Sequence, residues 1–211
     1  MLVYFKVENF RSISKPIELN LRPAPRLRNH KSHVVNPAPN VSVLKTSLIY
    51  GANASGKSNI VKAIKFLQSF VVDAKASDEK IEISPFRITQ SPQKTSSFYI
   101  EFTISDFHLS LTLKVNDERV EYEKLARIHK NKEELIYERH IDRNYHKFTL
   151  GICENTPELD IISKYTPSNS SLIGYISQNQ SIQNDLPIEL ASHIRAAYLY
   201  FTHFLVVVFP D

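Results

Sequence analysis

The stretch Tyr50-Gly-Ala-Asn-Ala-Ser-Gly-Lys-Ser-Asn-Ile60 constrains this chain more than any other feature. Gly51, Gly56, Lys57 and Ser58 stand at the spacing G-x-x-x-x-G-K-[ST], a phosphate-binding pattern that carries meaning only when a strand leads in and a helix leads out. Both flanks qualify. Val43, Leu44, Leu48, Ile49 and Tyr50 suit a short buried strand over Val43 to Tyr50. Ile60, Ile64, Leu67 and Val71 recur at helical spacing, which predicts a helix from about Lys57 to Val72. The alternative is an ordinary glycine-containing loop before a helix. Against it, the chain has only 4 glycines, two of them in this octapeptide, and a chance match at four such positions is a roughly one-in-a-hundred event.

The chemistry follows from what a triphosphate requires. Glycines at 51 and 56 let the backbone turn tightly with its N–H groups inward, so that a nest of donors at a helix N-terminus faces phosphate oxygens. Gly51, Ala52, Asn53, Ala54, Ser55 and Gly56 form this cradle, and Asn59 follows it. Lys57 is expected to reach the β and γ phosphates as a point charge, and the Ser58 hydroxyl to hold Mg²⁺. ATP with Mg²⁺ is therefore the expected ligand.

Composition narrows the remaining choices. A chain of 211 residues with 42% hydrophobic content can bury one large core or two small ones. It has no 18-residue apolar run, so no transmembrane helix is expected. Charges at Lys6 and Glu8 interrupt the apolar stretch that a signal peptide needs, and the N-terminus reads as a first strand. The single cysteine, Cys153, excludes an intramolecular disulfide or a multi-cysteine metal site and suits a reducing cytoplasm. It reads as a small apolar filler, not a nucleophile. A net charge of +4 and a pI near 9.0 permit contact with DNA or RNA without establishing it.

Taken in order, an apolar alternation through Val7 and another through Ile17, Leu19 and Leu21 predict an N-terminal hairpin turning near residues 12–16. Residues 22–42 hold Arg22, Arg26, Arg28, His30, Lys31 and His33 among Pro23, Pro25, Pro37 and Pro39. Prolines this dense remove backbone donors, so the segment reads as an exposed basic loop, either following a polyanion or simply solvated. After the helix and the polar residues Asp73 to Lys80, the pattern shifts to period two. Segments Phe98–Ile104, Leu109–Val115, Val120–His129, Leu135–His140 and Lys147–Leu150, separated by turn signals, describe an antiparallel meander. Helical spacing returns at Leu172, Tyr175 and Ile176 and in a longer helix expected over Leu186 to Val208. The expected division is a nucleotide-binding core over 1–80 containing the basic loop 22–42, an antiparallel β lobe over 81–155 and a helical segment over 156–211. The fold class is α/β, a phosphate-loop lobe with a mixed sheet near the N-terminus, the meander, and C-terminal helices.

Strand, Asn9-Phe-Arg-Ser12, strand, phosphate loop and helix, then an antiparallel lobe together resemble the N-terminal part of an ATP-binding-cassette head of the SMC and DNA-repair type. More narrowly, Tyr50 to Ile60 looks like bacterial AAA-labelled ATPases of the abortive-infection and overcoming-lysogenisation-defect group. The likeness covers residues 1 to about 200 in layout, and only the phosphate loop and Asn9 to Ser12 are specific in sequence. It implies a P-loop NTPase fold, a role in phage defence or DNA transactions, and a homodimer closed through nucleotide. It also adds two site residues. The arginine of Asn-Phe-Arg-Ser contacts phosphates in the repair ATPases, which maps onto Arg11, whose fixed charge and forked donors suit that task. A glutamine after the meander senses Mg²⁺ and the attacking water, which maps onto Gln178, with Gln180 and Gln183 close by.

Other constellations carry less. Eight histidines lack metal-ligand spacing. Glu133, Glu134, Glu138 and Asp142 read as a solvated face. Phe98, Tyr99 and Phe102 offer rings to nucleic-acid bases, yet strand spacing fits core positions. A hydrolysing cassette ATPase needs an acid at the end of an apolar strand and an adjacent glutamate. Leu205-Val-Val-Val-Phe-Pro-Asp211 interposes Pro210 and supplies no glutamate, so Asp211 is rejected for that role. A Ser-Gly-Gly signature is also missing. The chain thus reads as the first lobe of a larger protein, truncated or one half of a split gene, whose partner is a C-terminal ATPase half or another chain.

Overall fold

Strand β1 (Leu2–Glu8) shows how the sheet is built, because Val3, Phe5 and Val7 are fully buried while the residues between them are only half-covered. Period-two burial of this kind needs hydrogen-bonded neighbours at both edges. β1 finds them in β2 (Ile17–Asn20) on one side and β5 (Ser96–Ile104) on the other. The computed structural model describes residues 1–25, 29–53, 55–73, 79–88, 94–130, 132–142, 145–154 and 156–208. Among them, β6 (Phe107–Val115), β7 (Val120–His129), β8 (Lys132–Asp142) and β9 (Tyr145–Leu150) continue the same sheet in the order β2-β1-β5-β6-β7-β8-β9. Each pairing is antiparallel. The meander therefore forms with the expected strands, and it absorbs the N-terminal hairpin. In place of a separate mixed sheet near the N-terminus there is one seven-stranded antiparallel sheet, because β1 pairs with β5 across about ninety intervening residues.

Helix α1 (Lys57–Val72) keeps the expected bounds and lays Ala63, Ile64, Leu67, Phe70 and Val71 into the core with Phe5, Val7, Phe98, Ile100 and Phe102 of the sheet. Phe66 stacks on Phe98 with ring centroids 5.2 Å apart. Phe98 and Phe102 are thus core residues. The four acids of the charged hairpin lie in or at the end of β8 and are bound by neighbours. Glu133 takes Ser110 and Lys124, Glu134 takes Arg127, Glu138 takes Tyr122, and Asp142 takes Arg119.

Two expectations about extended structure need correction. Residues 22–42 are not simply a loop: after a 3₁₀ turn at Lys31–His33, β3 (Val34–Ala38) and β4 (Val41–Leu44) make a separate hairpin. Its prolines are accommodated. Pro39 and Asn40 fill the two-residue turn with Asn40 at φ 62°, the proline-first, left-handed-second arrangement of a type II turn, and a register shift between Val35 and Ala38 takes up Pro37. Arg22 pairs with Glu101 and lies over the Tyr4 ring, while Arg26 and Arg28 lie outside the described residues. The buried strand expected over Val43 to Tyr50 stops at Leu44. Leu48 and Tyr50 are 82% and 91% exposed, since apolar alternation makes a strand only where a neighbouring strand offers hydrogen bonds.

The C-terminal third is helical. α2 (Pro157–Tyr165) starts with Thr156 as N-cap and proline at its first position, the preferred chemistry for that end. α3 (Leu172–Gln178) and α4 (Gln180–Asn184) follow. The single helix expected over Leu186 to Val208 is shorter. α5 (Ile188–Leu199) begins after Pro187 and widens into a π-helical turn at Tyr200–Phe204, where the Leu205 N–H donates to the Tyr200 carbonyl. Leu205 is extended and residues 206–208 form no helix or strand, in keeping with the low helix propensity of three consecutive valines. α3 sits so close to α1 that a Cβ on Gly174 would lie 2.4 Å from the Val71 carbonyl oxygen, so only glycine fits there.

A buried ion pair fixes helices to sheet. Glu123 on β7 and Arg139 on β8 are both 0% exposed. The Glu123 carboxylate accepts from Arg139 Nε at 2.8 Å, Tyr137 Oη at 2.9 Å, Ser171 Oγ at 2.6 Å and the Leu172 N–H at 3.0 Å, the last two at the N-terminus of α3. Arg139 also donates to the Ser170 carbonyl. Burial and the adjacent Glu123 charge push the Tyr137 phenol well above its usual range, so it stays a donor. Arg139→Met should cost about 3–5 kcal/mol in urea unfolding, because it strands a buried carboxylate. A cost under about 1 kcal/mol would show that the neutral donors alone suffice.

Candidate nucleotide-binding site

The phosphate-loop sequence closes onto the N-terminus of α1. Gly56 is the N-cap residue at φ 93°, a left-handed conformation that L side chains rarely adopt, and no side chain caps this end. The unshared N–H groups of the first turn, with the positive end of the helix dipole, are thus available to an anion. The Asn59 N–H closes the first helical bond on the Gly56 carbonyl at 2.9 Å, and the Ser55 N–H turns back to the Ala52 carbonyl at 3.3 Å. Lys57 Nζ reaches into the loop and donates to the Gly51 and Ala52 carbonyls at 2.7 and 2.6 Å. A Cβ on Gly51 would come within 3.0 Å of Ser55 Oγ, so a side chain there would crowd the loop. Asn53 is exposed beside these residues, and Ala54 lies outside the described residues.

A cleft of about 280 Å³ opens at this end, lined by Ser12, Ser55, Gly56, Lys57, Ser58 and Asn59. Its described lining residues offer one ammonium, three hydroxyls and an amide, with no carboxylate among them. Ser58 is exposed at the cleft. One hydroxyl is a fitting donor set for Mg²⁺, which takes few protein oxygens and completes its shell with water and phosphate.

The Asn9–Ser12 turn forms the opposite wall. Asn9 and Arg11 both hold left-handed conformations, at φ 54° and 53°, a cost of roughly 1–2 kcal/mol for a residue such as arginine. The turn is over-determined. Phe10 and Ile13 exchange backbone bonds at 2.9 and 2.8 Å, the Arg11 N–H donates to the Ser84 carbonyl at 2.6 Å, and the Asn9 side chain bridges the Thr95 carbonyl and the Phe86 N–H. Ser12 emerges facing the loop, its Oγ accepting from Asn59 Nδ2 at 2.5 Å.

Arg11 itself points elsewhere. Its guanidinium lies 5.7 Å from the centroid of the Phe10 ring and lines a neighbouring groove of about 450 Å³ with Lys62, Lys65 and Phe66. The structure thus gathers Ser55, Gly56, Lys57, Ser58 and Asn59 into one cleft, ties Gly51 and Ala52 to it through the Lys57 ammonium, and sets Arg11 one residue from its edge. Gln178 does not join them. It ends α3, where its Nε2 donates to the Val72 carbonyl at 2.5 Å, and Val72 is the last residue of α1. That end is roughly 22 Å from Lys57 along the helix. Gln178 caps a helix C-terminus instead of approaching phosphate or Mg²⁺. Ser12 and the lysines at 62 and 65 were missed by the motif. The first stood in the quoted Asn-Phe-Arg-Ser, and the others follow Lys57 on the outer side of the same helix.

Residues 47–149 match the model of a family described as AAA domain, putative AbiEii toxin, type IV toxin–antitoxin system. No curated protein matches the chain. The matched region starts just before the phosphate loop and ends at the last strand of the meander, so loop, α1 and strands β5 to β9 fall within it, while β1 and β2 of the same sheet lie outside. The match supports a nucleotide-binding ATPase of the AAA type, and the fold is α/β of the P-loop NTPase class.

Proposed function

We propose that the protein binds ATP with Mg²⁺ through Gly51 to Asn59 and serves as the nucleotide-binding half of a cassette-type ATPase. The carrying observation is the uncapped N-terminus of α1, where left-handed Gly56 and the inward Lys57 ammonium stand in one cleft with Ser58. Backbone N–H groups would hold the β-phosphate, Lys57 would exchange loop carbonyls for phosphate oxygens, and Ser58 would hold the metal. Mg²⁺, when bound with ATP, offsets the charge between the β and γ phosphates. Arg11 is the further cation of this reading, entering from the adjacent groove. Phage defence or a DNA transaction is the biological setting we favour, in line with the AbiEii description carried by the matching family. A C-terminal ATPase half or a second chain, closing through the nucleotide, and a cytoplasmic location complete it. No described helix is long and apolar enough to cross a membrane.

A second reading is a non-hydrolysing module in which ATP orders the lobe, in keeping with a cleft whose described lining residues include no carboxylate. A third, a DNA- or RNA-binding domain, draws on the basic segment 22–42. A steep fall of DNA affinity with salt would favour it.

Calorimetry with Mg²⁺-ATP tests the site. Lys57→Ala should weaken binding by about 10- to 100-fold, the loss of a hydrogen bond to a charged group, with the unfolding midpoint unchanged. Unchanged affinity would sink the assignment. Arg11→Ala should weaken binding less, and Gln178→Ala should leave it alone while modestly lowering stability, by about 1 kcal/mol or less. Turnover by the 211-residue chain should stay well below about 1 per second, because the cleft residues supply a cradle but neither a metal-holding acid nor a water-orienting group. Faster Mg²⁺-dependent release of phosphate would reveal an unrecognised acid, with Asp211 the first to substitute. Adding a C-terminal half should raise the rate.

A further inference from the structure

The Asn9–Ser12 turn is held by a dense set of hydrogen bonds, among them those of Phe10 and Ile13, of the Arg11 N–H to Ser84 and of Asn9 to Thr95, Phe86 and Ser96, in a conformation with two left-handed non-glycine residues. Strain kept by so many contacts beside a ligand cleft marks a group being aimed. The group at its end is Ser12. Its Oγ lies 3.7 Å from where a Cβ on Gly56 would stand, and it lines the cleft with Lys57 and Ser58. Serine hydroxyls carry one proton and two lone pairs. Here a lone pair is committed to Asn59 Nδ2 at 2.5 Å, and among the described residues that is the hydroxyl's one hydrogen bond. The Ser12 proton is therefore left for another acceptor, and the cleft is where a phosphate oxygen would supply it.

We propose that Ser12 is a phosphate-binding residue contributed from outside the loop, donating its hydroxyl proton to a terminal phosphate oxygen, and that Asn59 acts as its positioning residue. This rests on the ATP-binding reading of the same cleft. The arrangement gives each side chain one role. Asn59, on the first turn of α1, donates from its side-chain Nδ2 to Ser12 Oγ and so leaves the hydroxyl proton to act as a donor. The strained turn fixes its position, because Asn9 is anchored at both ends of its amide and Arg11 N–H is anchored on Ser84. The ligand class is a polyphosphate, with the terminal phosphate being the part that Ser12 reads.

Calorimetry on the full chain tests this with three probes: Mg²⁺-ATP, inorganic triphosphate and adenosine. Ser12→Ala should raise the Kd for ATP and for inorganic triphosphate by the same factor, about tenfold, and leave adenosine binding unmoved. Ser12→Thr keeps the hydroxyl and should restore affinity to within about twofold. Asn59→Ala should weaken both phosphate ligands by about three- to fivefold in the wild-type background and by nothing further on top of Ser12→Ala, since it acts through that hydroxyl. Thermal unfolding of each variant should match the wild type, because Ser12 is exposed. Wild-type affinity in Ser12→Ala alongside lost binding in Lys57→Ala would overturn the Ser12 assignment and leave the site standing. Wild-type affinity in Lys57→Ala would overturn both. Full additivity of Ser12→Ala and Asn59→Ala, or failure of Ser12→Thr to restore binding, would also overturn the assignment by reducing the pair to independent structural contacts.

Discussion

The position of the phosphate cleft depends on a carboxylate far from it. Glu123 is buried among four donors that come from two parts of the architecture: Arg139 and Tyr137 on the next strand, Ser171 and the Leu172 N–H at the start of α3. A buried carboxylate costs several kcal/mol unless donors surround it, so these segments can only come together in a single arrangement. α3 then presents Gly174 to the Val71 carbonyl, and α1 is held at its C-terminal end. The sheet holds the rest of α1 through Ala63, Leu67 and Phe70. What remains is its first turn. Loop geometry at Gly56 is therefore set by a helix whose body has no freedom to shift.

The two ends of α1 are treated in opposite ways. At the C-terminus two of the last four carbonyls, those of Ser69 and Val72, are occupied by described residues. Asp73 N–H turns back to the Ser69 carbonyl at 2.8 Å, and Gln178 donates to Val72. At the N-terminus no side chain caps, and the loop supplies glycine where a serine or aspartate would ordinarily satisfy the first N–H groups. A glycine at the helix start forfeits roughly a few tenths of a kcal/mol relative to a good cap. Such a loss at one end only, beside a lysine and three hydroxyls, makes sense as a donor set kept for an anion.

How much of this could be read from the chain divides along local and non-local lines. Helix α1 appeared with its bounds because Ile60, Ile64, Leu67 and Val71 repeat within a few residues and the loop fixes the start. The meander appeared because strict alternation and turn residues are local too. Non-local facts did not appear. Nothing near Val3, Phe5 and Val7 indicates that β5 will pair with them, and the apolar run at Leu48 to Tyr50 reads as a strand until the absence of a described neighbour leaves it bare. Pro37 and Pro39 suggested a loop, yet a bulge and a type II turn let β3 and β4 pair around them. In the site, the loop was legible from spacing, whereas Gln178 was placed by chain order, and the structure sends it to the wrong end of the helix.

Lys57 shows how the cradle is kept in shape before phosphate chemistry enters. Its ammonium makes two short bonds to carbonyls of its own loop, so those oxygens point inward toward a cation. Two carbonyl dipoles can hold one ammonium, but a triphosphate brings several full negative charges to the same place. A phosphate adds full charge–charge attraction that neutral carbonyl dipoles do not supply, so on the ATP-binding reading the exchange would run toward the phosphate. As Lys57 leaves, the Gly51 and Ala52 peptides lose the partner that oriented their oxygens. Peptide rotation at such positions is least hindered at glycine, and Gly51 and Gly56 bracket the segment. On the ATP-binding reading, the spacing of the two glycines would serve the exchange as well as the final fit: Gly51 would let the loop release its lysine, while Gly56 holds the left-handed entry to α1.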